Sequence, residues 1–268
     1  MISIIGAGNM GSALARGLIR SGKANGKSLV LFDVDTAKTR SLAKELGTQT
    51  ASSLRDALRP KTDILILAVK PQMIGEVVEQ LAPKIREKPL VISIAAGITT
   101  GSILARLHAD ARVIRVMPNA AAMVECGATA LCKGGGADDN DLKKALDLFS
   151  SVGHAVVVDE KMMNVVTALS ASGLGYLFVI MEALTDGAVL MGMDRPTARS
   201  LTVQTVLGAA TMAAAEGASF SELKDRITSP GGTTIAGLRI LERAAVRGAV
   251  MECIAAATRR GEDLQAKG

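Results

Sequence analysis

The sequence predicts an α/β protein, with an N-terminal doubly wound, mostly parallel sheet of Rossmann type followed by an all-α C-terminal dimerisation domain. Three observations carry this. Short apolar runs alternate with helical stretches through the first half, a glycine-rich turn joins the first run to the first helix, and strand-like runs stop after about residue 161. The predicted boundary separates an alternating strand-and-helix domain, residues 1–160, from a helical domain, residues 161–268.

The strand candidates are Ile2–Ile5, Ser28–Phe32, Asp63–Val69, Leu90–Ile94, Val113–Met117, Ala128–Leu131 and Ala155–Val158. Most are continuously apolar, as expected of strands covered on both faces. Helical stretches lie between them: Gly11–Ser21, Thr36–Leu46, Met73–Ile85 and Asp141–Ser151. Strand, helix, strand in repetition implies parallel pairing.

Gly6-Ala7-Gly8-Asn9-Met10-Gly11 follows the first strand and opens a helix. Such a turn allows a tight bend, close approach of backbone to a pyrophosphate, and close packing of helix on strand, with the helix N-terminus facing the phosphates. Asp33 stands 22 residues beyond Gly11, at the end of the second strand. A carboxylate there accepts from ribose hydroxyls, which together with the turn signals dinucleotide binding. Asp33 leans the coenzyme toward NADH; Lys38 and Arg40 just downstream keep NADPH open. Later strand ends should line the same crevice: Ala68-Val69-Lys70-Pro71, then Ala95 and Gly97, then Asn119.

In the second half, long Ala-, Leu- and Met-rich segments predict helices over Lys161–Met191, Pro196–Glu216, Ser221–Thr228 and Thr234–Arg260. Pro196 suits a first helical turn, and Ser219 with Glu222 has capping-box spacing. The segment Met162–Met191 is apolar on nearly every side and must be covered all round, which predicts a homodimer through the helical domain. Leu174–Met193 contains Glu182, Asp186 and three glycines, and so reads as short of a membrane span. Ser229-Pro230-Gly231-Gly232-Thr233-Thr234 has the make-up of an anion-binding turn: glycines expose successive N–H groups, hydroxyls add donors, and a helix follows.

Composition excludes other classes. Apolar residues make up 49% of the chain but aromatic residues 2%, so stacking platforms for bases are not expected. The net charge of +5 is spread without a basic run, against nucleic-acid binding. Cys126, Cys132 and Cys253 form no CxxC motif and only His108 and His154 are present, so neither a metal site nor a catalytic thiol is expected. No secretory signal is read at the start, and a cytoplasmic location is expected.

Several segments together resemble one family. Ile5-Gly6-Ala7-Gly8-Asn9-Met10-Gly11, Leu67-Ala68-Val69-Lys70-Pro71-Gln72, Ser93-Ile94-Ala95-Ala96-Gly97-Ile98, Arg115-Val116-Met117-Pro118-Asn119, Ala168-Leu169-Ser170-Ala171-Ser172-Gly173 and the 228–234 turn make the chain similar to pyrroline-5-carboxylate reductases. The resemblance implies NADPH- or NADH-dependent reduction of a cyclic imino acid to L-proline, the closing step of proline synthesis. It implies a Rossmann domain plus an interleaved dimer, with rings of dimers common in the family. It also implies that Thr234 meets the ring nitrogen, that Ser229, Gly231, Gly232 and Thr233 hold the carboxylate, and that Glu160 steadies that pocket. The chain departs from the family pattern at Ala120, Ala121, Ala171, Leu174, Gly175 and Arg226. Reduction of another cyclic imine, or coenzyme sensing without catalysis, stands as the alternative. A β-hydroxyacid dehydrogenase would need a lysine on the first long helix, and Met162–Met193 contains none.

Overall fold

The computed structural model describes residues 1–85 and 89–266; residues 267–268, the end of the expected C-terminal domain, lie outside it. The chain divides into two compact units, Met1–Ala171 together with the segment from Ala257 onward, and Ser172–Ala256.

The first unit is built on a sheet in the order β3-β2-β1-β4-β5-β6-β7-β8, eight strands among the described residues. The elements are β1 (Ile2–Ile5), α1 (Asn9–Arg20), β2 (Leu29–Phe32), α2 (Thr36–Leu46), β3 (Gln49–Thr50), α3 (Leu54–Ala57), β4 (Ile64–Leu67), α4 (Ile74–Leu81), β5 (Leu90–Ser93), α5 (Thr100–Leu104), β6 (Arg112–Met117), β7 (Gly127–Gly135), α6 (Asp139–Phe149) and β8 (Gly153–Val157). Alternation along the strands explains the continuous apolar runs. Ile2 and Ile4, Leu29 and Leu31, Ile66, and Ile92 face one core with α1 and α6; Ile5, Leu65, Leu67 and Val91 face a second with α4. Both faces are covered, so a polar side chain on a strand must find a buried partner, as Ser3 does by donating its hydroxyl to the Ala57 carbonyl at 2.6 Å.

The sequence reading missed the two-residue strand β3 and the direction of β7. β6 and β7 pair antiparallel, Met117 opposite Ala130, while β7 and β8 pair parallel. The link between β6 and β7 is a 3-10 turn, Ala120–Val124, too short for the crossover that a parallel partner requires.

The expected single helix over 161–191 is broken. A 3-10 turn (Glu160–Met162) leads into α7 (Met163–Val166), a π-helical turn (Thr167–Ala171) and α8 (Gly173–Leu190). Thr167 and Ser170 donate their hydroxyls to the carbonyls of Met163 and Val166, at 2.8 and 2.9 Å. Such back-bonding competes with the helical ladder, which periodicity alone does not register.

In the second unit, α8 and α9 (Arg195–Glu216) are followed by α10 (Phe220–Arg226), α11 (Thr233–Arg243) and the start of α12 (Val246–Ala266). The helix expected over 234–260 stops at Ala244, and Ala245 takes a φ of +52°. Alanine is a strong helix former and gave no breaker signal. The expected capping box on α10 is present: Ser219 N–H donates to Glu222 Oε2 at 2.8 Å, and Glu222 N–H to Ser219 Oγ at 3.2 Å. Pro196 lies in the first turn of α9, as expected.

α8 leaves large side chains on several sides exposed in the single chain, among them Phe178 at 64% and Val179 at 66%. Among the described residues the longer helical run Glu160–Leu190, which overlaps the stretch Leu174–Met193 read as too short, has the length and hydropathy of a membrane span. A helix that must be covered on every side passes the same test of length and composition.

Candidate active site

The first unit places its glycine turn where the strand order reverses, between β1 and its neighbours β2 and β4. This is the switch point at which doubly wound sheets bind ligands. Gly6 has a φ of +106°, and a Cβ on it would lie 2.3 Å from the Ala68 carbonyl oxygen. A Cβ on Gly11 would lie 2.0 Å from the Gly6 carbonyl oxygen. Both glycines therefore let backbone pass against backbone. A Cβ on Gly8 would meet nothing within 4 Å, so that position faces open space.

α1 starts from Gly8 in an extended conformation, with no side-chain cap. By contrast Asp35 caps α2, Thr99 α5, Asp138 α6, Asp194 α9 and Ser219 α10. An uncapped first turn presents unused N–H groups and a partial positive charge to an anion. The turn thus has the open space and unused donors that an anion requires, with Asn9 and Met10 opening the helix.

Asp33 does more than the sequence suggested. Its Oδ2 accepts from Ala7 N–H at 2.6 Å and its Oδ1 from Asp35 N–H at 2.9 Å. The N–H of Ala7, expected at the phosphates, is therefore committed to Asp33. The carboxylate stays half-buried at the end of β2, with lone pairs left for ribose hydroxyls.

The other expected lining residues sit at the carboxyl ends of the next strands. Ala68 and Val69 follow β4 half-buried, Lys70 is exposed, and Pro71 opens a 3-10 turn. Ala95 is buried and Gly97 half-buried beyond β5. Asn119, beyond β6, differs from expectation: its side chain is 5% exposed and turned to protein partners. Asn119 Nδ2 donates to the Ser170 carbonyl at 3.0 Å, and its Oδ1 accepts from Ala128 N–H at 3.1 Å.

Glu160 is held from two sides. Its Oε1 accepts from Thr100 N–H at 2.8 Å and Arg115 Nη1 at 3.2 Å, and its Oε2 from the Thr100 hydroxyl at 2.7 Å. Arg115 is buried on β6. The network went unread in the sequence, although a single arginine inside the apolar run Val113–Met117 was its signal: a buried charge must find a partner. Beside it, burial first and the Glu160 charge second push the Cys132 thiol up to about 11.

The second unit carries the other expected anion turn. Ser229-Pro230-Gly231-Gly232 closes with Gly232 N–H donating to the Ser229 carbonyl at 3.1 Å, with Gly231 at φ +68°. This spends the Gly232 N–H that was expected to face a carboxylate. α11 then starts from Gly232, extended and without a side-chain cap, and Thr234 is its second residue.

A doubly wound sheet with an open glycine cradle and an acid after the second strand defines a dinucleotide-dependent oxidoreductase. Comparison with known proteins narrows this. Residues 160–264 match the family described as pyrroline-5-carboxylate reductase dimerisation, and residues 1–97 the family described as NADP oxidoreductase, coenzyme F420-dependent. A pyrroline-5-carboxylate reductase of Methanosarcina acetivorans is 45% identical over 99% of this chain and 98% of its own length. The solved pyrroline-5-carboxylate reductase of Coxiella burnetii superposes with a TM-score of 0.94 at 36% identity, covering 98% of this chain and 97% of that one. That of Plasmodium falciparum, solved with NADP bound, gives a TM-score of 0.86 at 30% identity, covering 98% and 97%. The chain belongs to the pyrroline-5-carboxylate reductase family, and its second half carries that family's dimerisation domain.

Proposed function

We propose that this chain reduces the C=N bond of Δ1-pyrroline-5-carboxylate to L-proline, the last step of proline biosynthesis, with NADH as the preferred coenzyme. One observation carries the reading. α1 and α11 both start from an extended glycine after a glycine turn, with no side-chain cap. Two such starts suit two anions, a pyrophosphate and a substrate carboxylate.

Residues 1–160 are proposed to hold the coenzyme. Gly6, Ala7, Gly8, Asn9, Met10 and Gly11 would cradle the pyrophosphate. Asp33 would accept from the adenosine ribose and repel a 2′-phosphate. Ala68, Val69, Lys70, Pro71, Ala95, Gly97 and the backbone of Asn119 would line the nicotinamide end. When bound, the reduced nicotinamide supplies the hydride.

Residues 161–268 are proposed to bind the imino acid and to form the homodimer, with rings of dimers as the larger assembly and the cytoplasm as the compartment. Ser229, Gly231 and Thr233 would grip the carboxylate and so fix which face of the ring is presented. Thr234 would hydrogen-bond the ring nitrogen as it passes from imine to amine. A protonated imine is already a strong electrophile, so these residues act by placement and by dipoles aimed at the reacting group. Glu160, tied to Thr100 and Arg115, is proposed to lie beside the substrate and steady its pocket.

The deciding assay follows coenzyme oxidation with pyrroline-5-carboxylate and with cyclic imines lacking a carboxylate, using NADH and NADPH in parallel. The carboxylated imine with NADH should be fastest, by about tenfold or more over the others, the worth of one lost charge-assisted contact. Equal rates with carboxylate-free imines would overturn the substrate, and faster NADPH turnover would overturn the coenzyme preference.

A further inference from the structure

We propose that Asn119 is a positioning residue for hydride transfer: its side-chain amide latches the π-helical turn Thr167–Ala171 to the carboxyl edge of the sheet. Asn119 lies two residues past β6. It donates to the Ser170 carbonyl at 3.0 Å and accepts from Ala128 N–H at 3.1 Å. One buried amide thus joins the end of β6, the start of β7 and the π turn.

The turn needs such a hold. A π-helical register is rare, occurs mostly as a single turn inside α-helices, and is frequent at functional sites. Here the hydroxyls of Thr167 and Ser170 already compete for the carbonyls of Met163 and Val166. The external donor that reaches the Ser170 carbonyl is Asn119. The chain upstream is pinned from the same strand, where Arg115 meets Glu160 at 3.2 Å. Segment 160–171 is therefore held at both ends by residues four apart along β6 and its exit.

The location gives the latch its consequence. Residues 117–119 leave β6 at the carboxyl edge of the sheet, the edge on which the nicotinamide end of the coenzyme is proposed. Relaxation of the π turn into α register would rotate each following residue by about 100° about the helix axis, displacing Ser170 and Ala171 at that edge. The adenosine end, held at β1 and β2, would not sense the change. Loss of the latch should therefore lower kcat while leaving coenzyme affinity in place. The proposal rests on the coenzyme placement above, so its test includes a measurement made with no coenzyme or substrate present.

The test compares wild type with Asn119→Ala and with Asn119→Asp, which is nearly isosteric, keeps the acceptor for Ala128 and, as the carboxylate, loses the donor to Ser170. Three quantities are read: amide exchange of the 167–171 region in the free homodimer, the Kd for NADH, and kcat with pyrroline-5-carboxylate. Expected are exchange about tenfold faster or more at 167–171, a Kd within about twofold of wild type, and kcat lower by about tenfold or more, the scale of a misplaced reacting pair. Should Asn119→Ala fail to fold, Asn119→Asp decides. Unchanged exchange overturns the latch, and a weakened Kd with unchanged exchange assigns the amide to the coenzyme. Faster exchange with unchanged kcat overturns the link to hydride transfer. A wild type that turns over no imine removes the assigned reaction, while exchange still decides whether the latch exists.

Discussion

The backbone N–H of Ala7 donates to Oδ2 of Asp33 at 2.6 Å, joining the glycine turn after β1 to the acid after β2. One carboxylate thereby shapes the glycine turn and, in the proposed coenzyme placement, faces the ribose. Asp33→Asn should disturb both roles, because an amide offers one acceptor oxygen where the carboxylate offers two. NADH affinity should weaken about tenfold, in line with a lost charge-assisted hydrogen bond, and NADPH affinity should weaken less because the repelling charge has gone. Fluorescence titration with both coenzymes measures this; an unchanged ratio of the two affinities would refute the role of Asp33 in coenzyme choice.

Gly8 and Gly11 should respond differently to alanine. A Cβ at Gly11 lies 2.0 Å from the Gly6 carbonyl oxygen, whereas one at Gly8 meets nothing. Gly11→Ala should destabilise the protein by about 1–3 kcal/mol through forced backbone movement. Gly8→Ala should leave stability within about 0.5 kcal/mol and still weaken the coenzyme, since its methyl fills the space proposed for the pyrophosphate. Urea midpoints and coenzyme titration on the two variants separate these effects. A Gly8→Ala variant with wild-type affinity would move the pyrophosphate elsewhere.

Thr234 is the second residue of α11, just after the type of turn expected to hold the carboxylate. Thr234→Ala should cut kcat by about 100-fold, the scale of a lost positioned proton partner, with NADH affinity unchanged. Equal turnover in the variant would show that the ring nitrogen is met by another group.

Cys132 should be chemically silent in the folded protein. Its thiol is pushed up to about 11, chiefly by burial and then by the Glu160 charge, so at pH 8 it stays protonated. A thiol reagent at pH 8 should label exposed Cys126 and leave Cys132 until urea is added. The sign for stability follows from the proton that the folded state retains. The contribution is whole below about pH 9 and is lost as pH rises toward 11, where the unfolded thiol has already ionised. The urea midpoint should fall over that interval, and fall less in Cys132→Ala; identical slopes would show that burial does not set this thiol.

What the sequence alone determined were the features written in local residue order. Short continuous apolar runs, the longer helical stretches, the six-residue glycine turn, the acid 22 residues beyond it and the Ser219–Glu222 cap depend on neighbours in the chain, so the strand-and-helix first half and helical second half were legible. The tertiary structure decided where each polar group spends its bonds. Asp33 takes the N–H of Ala7, Ser229 that of Gly232, Asn119 the carbonyl of Ser170, and Arg115 meets Glu160 across 45 residues. Hydrophobic burial selects residues by type and so leaves a pattern along the chain. A buried donor must find an acceptor that packing alone brings near, and no spacing rule records which one.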